Sequence, residues 1–170
     1  MRVIFLDIDG VLNCDSTKER YLRYIGIDPK LVDNLAVLVK KSDEVDKTVI
    51  VLSSSWRLDQ TKDGDAEGGL NHVIRRLKEA GLELYDATPN LKGKRGKEIY
   101  TWLNQYKGDK ITGYAVLDDR FYVDFKEYKV SKHLVRTSSS PANGGLREKH
   151  INRALKILDM PFVSVYNDGQ

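Results

Sequence analysis

The chain has 170 residues, 41% hydrophobic and 31% charged, with a net charge of +3. That describes one globular domain, residues 1–170, with a mild charge that suits an anionic substrate without demanding nucleic acid. One cysteine, Cys14, excludes an internal disulfide and a multi-cysteine zinc site, and no run approaches the roughly 18 apolar residues of a membrane span, so a cytoplasmic setting is expected.

The first strand is predicted at Arg2–Leu6 (RVIFL), a run too short before Asp7 to read as a signal peptide. The segment Cys14–Gly26 reads as a loop. A helix follows at Pro29–Lys41, with Asp28 as N-cap, Pro29 at the first helical position, and Leu31, Leu35, Leu38 and Val39 at helical spacing. Thr48–Leu52 (TVIVL) is the second strand, ending at Ser53, Ser54 and Ser55. The polar stretch Asp59–Gly69 reads as a surface loop, and Leu70–Ala80 as a helix stopped by Gly81. Further strands are predicted at Leu82–Tyr85, Tyr114–Leu117 and Lys132–Val135, with helices at Arg95–Tyr106 and Leu146–Leu158. Thr137–Gly145 reads as another loop, and Phe162–Tyr166 as an edge strand. No repeat or composition break marks a second domain.

Most of these strands are short, rich in Val, Ile and Leu, and apolar on both faces, as in a covered parallel sheet. Their alternation with helices predicts an α/β fold: a three-layer, Rossmann-like sandwich with a mostly parallel sheet of about five strands. Ligands in such sheets sit beyond the carboxyl ends of the strands. The residues there are Asp7 and Asp9, Ser53 to Ser55, and Asp118 and Asp119, with Lys94, Arg95 and Lys97 at a helix start.

Several carboxylates in one place repel each other unless a hard cation sits among them, and oxygen-only ligation points to Mg²⁺. Hydroxyl and basic groups on the same rim complete a pocket for a phosphoryl group. One carboxylate can attack phosphorus, and a second can move the proton of the leaving oxygen.

These residues fall into four short motifs in order: Asp7-Ile8-Asp9-Gly10-Val11, Ser53 after VIVL, Arg95-Gly96-Lys97-Glu98-Ile99, and Asp118-Asp119 after YAVL. The pattern resembles the haloacid dehalogenase (HAD) superfamily of aspartate-nucleophile phosphatases. The combination LDIDGVLN, SSSWR, TP before RGKEIYTWL, and VLDD further resembles a compact HAD branch found fused to RNA-repair enzymes or alone. VLDDR also resembles the phosphatase half of polynucleotide kinase-phosphatases.

The resemblance implies a capless or minimally capped HAD fold and a Mg²⁺-dependent phosphomonoester hydrolase. By that resemblance Asp7 is the nucleophile and Asp9 the general acid and base. Ser53 and Arg95 would hold the phosphoryl group, with Ser54, Lys94 and Gly10 beside them. Asp7, Asp9, Asp118 and Asp119 would form the metal site, Asp119 as a direct ligand and Asp118 acting through water. Lys94 and Lys97 remain alternatives to Arg95 in the third motif. The expected partner is a phosphorylated substrate, foremost a nucleic-acid 3′-phosphate or a nucleotide, with no membrane and no obligate protein partner. A phosphoprotein or sugar-phosphate phosphatase, a receiver-like phospho-acceptor and a non-catalytic binding module are the rival readings.

Taken one by one, Ser54 and Ser55 read as capping groups and Trp56 as core or a cover over the sheet edge. Arg57 reads equally as a second phosphate clamp or a surface salt bridge, and Arg120 as substrate contact or structural pairing. Cys14 reads as a packed thiol, and His72, His133 and His150 as ordinary histidines.

Overall fold

The structure is a computed structural model that describes residues 1–59 and 68–162. Among the described residues there are seven strands, β1 (Arg2–Leu6), β2 (Arg20–Tyr21), β3 (Tyr24–Ile25), β4 (Thr48–Leu52), β5 (Leu84–Ala87), β6 (Gly113–Asp118) and β7 (Leu134–Arg136), and four helices. The helices are α1 (Pro29–Asp43), α2 (Gly69–Glu79), α3 (Arg95–Gln105) and α4 (Glu148–Leu158). Five strands make one parallel sheet in the order β5-β4-β1-β6-β7, as expected for the α/β sandwich.

The apolar-on-both-faces character of β1 explains its central place. Ile4 and Leu6 face a core shared with α1, α2 and α4, whereas Val3 and Phe5 face a second core with α3. Burial on both sides removes about 1.5–3 kcal/mol worth of apolar surface from water for each large side chain. Chain order runs outward from β1 through β4 to β5, then crosses back to β6. The topological switch therefore falls between β1 and β6, where a crevice opens beyond their carboxyl ends.

The element boundaries depart from the expectation where polar or capping contacts intervene. Leu82, assigned by its apolarity to a strand, instead ends α2: its amide reaches Leu77 O at 3.0 Å and the Gly81 amide reaches Lys78 O at 3.0 Å. With Gly81 at φ +73°, this is a Schellman turn whose apolar contact is Leu82 on the Leu77 core, so β5 starts two residues later. Ser131–His133 forms a 3-10 turn instead of the start of β7. The amide of Arg147 donates to His150 Nδ1 at 3.0 Å, so α4 begins after Leu146 instead of at it. The loop Cys14–Gly26 contains the antiparallel β2–β3 hairpin, with Leu22 at φ +52° in its turn. Of the expected edge strand Phe162–Tyr166, residues 163–166 lie outside the described residues; so do residues 60–67 of the loop Asp59–Gly69.

Candidate active site

Strands β1, β4 and β7 each carry their ladder one residue past their ends. The Asp7 amide donates to Leu117 O (2.9 Å), Ser53 to Leu6 O (2.8 Å), and Thr137 to Asp118 O (3.0 Å). These bonds fix Asp7 beside Asp118, one residue beyond the Leu6–Leu117 pairing, with Ser53 on the other side. After Asp7 the chain turns sharply: Val11 and Leu12 amides both reach Ile8 O, and Gly10 takes φ +72°. A Cβ at Gly10 would meet Asp119 Cβ at 2.5 Å, so glycine lets the two acidic loops close on each other.

The first turn of α3 brings in the basic group. Of the three candidates for the third motif, Lys94 and Lys97 are exposed and Arg95 is buried. Its guanidinium lies 3.8 Å from Asp7 Oδ1, 3.6 Å from Asp118 Oδ2 and 3.7 Å from Glu98 Oε2. Lys94 supplies no side-chain cap to this helix; Asp124 Oδ2 accepts from the Lys97 amide instead, at 3.0 Å.

Asp9 is exposed and held from two sides. Asn13 Nδ2 donates to its Oδ1 at 3.0 Å and Trp56 Nε1 to its Oδ2 at 3.1 Å. Asn13 Oδ1 in turn accepts from the Gly10 amide. Ser54 caps the short 3-10 turn Ser55–Leu58, its hydroxyl accepting from the Trp56 amide.

Arg57 forms a buried ion pair instead of a surface salt bridge, and it lines a cleft with Arg95 and Arg120. It is buried, donating to Thr88 O (2.9 Å), Ser54 O (2.5 Å) and Pro89 O (3.2 Å), and its Nη2 lies 2.9 Å from Glu98 Oε2. Glu98 is 1% exposed and its Oε1 accepts from the Leu91 amide, so one carboxylate braces Arg57, Arg95 and the loop before α3. Arg120 is exposed, its Nε 3.8 Å from Asp119, while its amide donates to Asp118 Oδ1 at 2.9 Å.

The electrostatics record an excess of buried negative charge. Burial pushes the Asp7 carboxyl up, opposed by Arg95 and by hydrogen bonds from Ser54 and Ile8. Asp118 is raised to about 8, first by burial and then by Asp7. Burial also raises Asp119, against the pull of Arg120. Burial works against the Arg95 charge, but Asp7, Tyr122 and Asp118 outweigh it and raise its affinity for its proton.

One carboxylate oxygen from each of Asp7, Asp118 and Asp119 lies within 4.8 Å of the others, a spacing open to a metal ion. Asp118 Oδ2 is buried without a hydrogen-bond partner, which an oxygen-seeking cation would supply, so the residues fit Mg²⁺. Ser53 Oγ and Arg95 Nε are likewise buried without a hydrogen-bond partner, Arg95 Nε lying 3.6 Å from Asp118 Oδ2.

Sequence reasoning missed Glu98, Asn13 and the hydrogen bond of Trp56 to Asp9. Arg95 and Glu98 sit on the buried stripe of α3 with Ile99 and Trp102, and charges on an apolar stripe are the signal that finds such a pair.

A parallel α/β sheet whose switch point gathers aspartates, a serine and an arginine defines a HAD-superfamily domain. A family model for the HAD domain in Swiss Army Knife RNA repair proteins matches residues 3–151, and the chain belongs to that family. Among curated proteins and solved structures no relative matches. Membership supports a phosphatase-type hydrolase at the level of the superfamily.

Proposed function

We propose that the chain is a single-domain, cytoplasmic, Mg²⁺-dependent phosphomonoester hydrolase that removes a terminal phosphate, foremost a 3′-phosphate, from a nucleic-acid end or a nucleotide. One observation carries the reading: the buried rim atoms without a hydrogen-bond partner are of both kinds, Arg95 Nε and Asp118 Oδ2 meeting each other only as an ion pair at 3.6 Å. Ser53 Oγ and Arg95 Nε can donate, whereas Asp118 Oδ2 can only accept when ionised. An anion alone would leave Asp118 unsatisfied, and a cation alone would leave the two donors so; a phosphoester with a divalent cation satisfies all three. The family, described from RNA-repair proteins, supports the nucleic-acid substrate.

In this reading an Asp7 carboxylate oxygen attacks phosphorus, and the bond from phosphorus to the ester oxygen breaks. Asp9, fixed by Asn13 and Trp56, gives its proton to that leaving oxygen. The carboxylate of Asp9 then takes a proton from water, whose oxygen attacks phosphorus, releases orthophosphate and frees Asp7. Ser53, Arg95 and the Gly10 turn hold the non-bridging oxygens, with Ser54 supporting Asp7 and Lys94 adding positive charge at the helix start. Asp7, Asp118 and Asp119, with the Asp9 main chain, would hold Mg²⁺, which would supply charge neutralisation for the phosphoryl group.

Phosphate release is the test, using 3′- and 5′-phosphorylated RNA and DNA oligonucleotides, mononucleotides, sugar phosphates and phosphopeptides. Mg²⁺-dependent turnover that Asp7→Asn abolishes, with the fold intact by circular dichroism, is expected. Turnover surviving in Asp7→Asn removes Asp7 as nucleophile, and equal rates on all substrates remove the nucleic-acid assignment.

A further inference from the structure

Asp9 borders a second feature that the chemistry above does not use. Beside it opens a cleft of about 420 Å³ whose walls are Tyr21, Tyr24, Ile25 and Trp56. This volume lies in the range of small-molecule sites. Its construction is deliberate in the sequence: the β2–β3 hairpin carries both tyrosines over the 3-10 turn that carries Trp56. Tyr21 packs on Trp56 with centroids 5.2 Å apart and on His72 at 4.8 Å, and its hydroxyl donates to Asp59. Tyr24, by contrast, is 54% exposed at the mouth.

The charges at the rim are sorted. Asp9 and Asp59 are the carboxylic acids of the aromatic cleft, and no lysine or arginine lines it among the described residues, although Arg23 lies over one face of the Tyr24 ring at its mouth, 5.3 Å from the centroid. A separate cleft of about 400 Å³, sharing Ser55, is bordered by Arg57, Lys92, Arg95 and Arg120, with the buried Glu98 as its single acid among the described residues. Phosphate groups suit the cationic cleft and are repelled from the aromatic one. An uncharged, flat, hydrogen-bonding ring suits the aromatic cleft, because every nucleobase offers a face that stacks on such side chains. The acid that would protonate the leaving oxygen lies on that cleft's edge, so the part of the substrate that departs with the oxygen enters it.

We infer that the Tyr21–Tyr24–Trp56 cleft is a nucleobase subsite, which takes the base of the nucleoside that leaves with the ester oxygen, Tyr24 being its accessible stacking face. This rests on the phosphatase reading for what leaves, but the ring-binding property is separate from turnover.

The experiment measures quenching of tryptophan fluorescence in an Asp7→Asn background with Mg²⁺, so that ligands persist. Adenosine 3′-monophosphate, its abasic analogue without the base, orthophosphate and phosphotyrosine are titrated in turn. Saturable quenching by the nucleotide is expected, with the abasic analogue binding at least about fivefold more weakly. Tyr24→Ala should weaken the nucleotide by about 5- to 30-fold, and Tyr24→Phe, which keeps the ring, should restore it. Equal affinity with and without the base, or loss in Tyr24→Ala that reaches both ligands alike, overturns the assignment. Phosphotyrosine binding more tightly than the nucleotide overturns it in favour of a protein substrate. Base-dependent quenching in a protein that hydrolyses no phosphomonoester would remove the phosphatase reading and leave the cleft. Turnover with base-independent binding would do the reverse.

Discussion

Glu98→Gln changes one charge at the centre of the brace and leaves its shape. In the wild type, Glu98 Oε2 is 2.9 Å from Arg57 Nη2 and 3.7 Å from Arg95 Nη1, with all three side chains buried. Glutamine keeps an acceptor for the Leu91 amide, so the loss is electrostatic. Removing one partner of a buried ion pair costs about 3–5 kcal/mol. The lower end applies here, because Arg57 keeps its three carbonyl acceptors and Arg95 keeps Asp7 and Asp118. A destabilisation of about 3 kcal/mol is a large share of the roughly 5–15 kcal/mol that holds a domain together. Urea unfolding followed by circular dichroism should show the midpoint falling with an unchanged slope. In a cycle with Arg57→Gln, the double variant should be less destabilised than the sum of the singles by about 2 kcal/mol. A loss under about 1 kcal/mol, or additive singles, would refute the buried brace.

Trp56→Phe keeps the aromatic wall but removes the indole donor to Asp9; kcat should fall about tenfold with KM within twofold, by steady-state phosphate release, as fits one lost hydrogen bond to a charged group. Gly10→Ala places a Cβ 2.5 Å from Asp119 Cβ at a positive φ, so the Mg²⁺ concentration for half-maximal rate should rise at least about tenfold while Tm falls. His133 is pushed down to about 4 by burial, against the pull of the Tyr114 carbonyl it bonds at 2.9 Å. A depressed histidine stabilises the fold above its unfolded value near 6.5 and loses that contribution as pH falls towards 4, a change of about 3 kcal/mol. Unfolding midpoints should therefore drop between pH 7 and pH 4.5 in the wild type and drop less in His133→Phe, which keeps the stack on Tyr114; parallel slopes would refute this.

The legible part of the chain is the part governed by one-dimensional rules. The apolar runs of β1, β4 and β6 name themselves, and the rule that ligands lie beyond strand ends then marks Asp7, Ser53 and Asp118 before any contact is known. Arg95 was harder, because Lys94 and Lys97 share its local signal; only the helix register, which turns Arg95 inward beside Ile99 and Trp102, separates the three. The hairpin β2–β3 left no trace, since strands of two residues with exposed Leu22 and Tyr24 have no periodicity to read.

What stayed hidden has a common physical character. Trp56 reaches Asp9 across 47 residues of sequence, and Asp124 caps α3 from 27 residues away. Arg57 and Glu98 meet because the β5–α3 loop folds back over the serine turn, giving Arg57 the carbonyls of Thr88 and Pro89. Each of these side chains is polar in a place where local pattern predicts either core or solvent. Their burial is tolerable only because a partner from another element compensates it, and that compensation is a property of the tertiary structure. The groups expected to react could therefore be found along the chain, whereas the groups that hold them needed the fold. The consequence for substitution is direct: exchanges at Trp56, Arg57 or Glu98 should disturb the site as strongly as many exchanges within it, although none of the three belongs to the four motifs as residues that react.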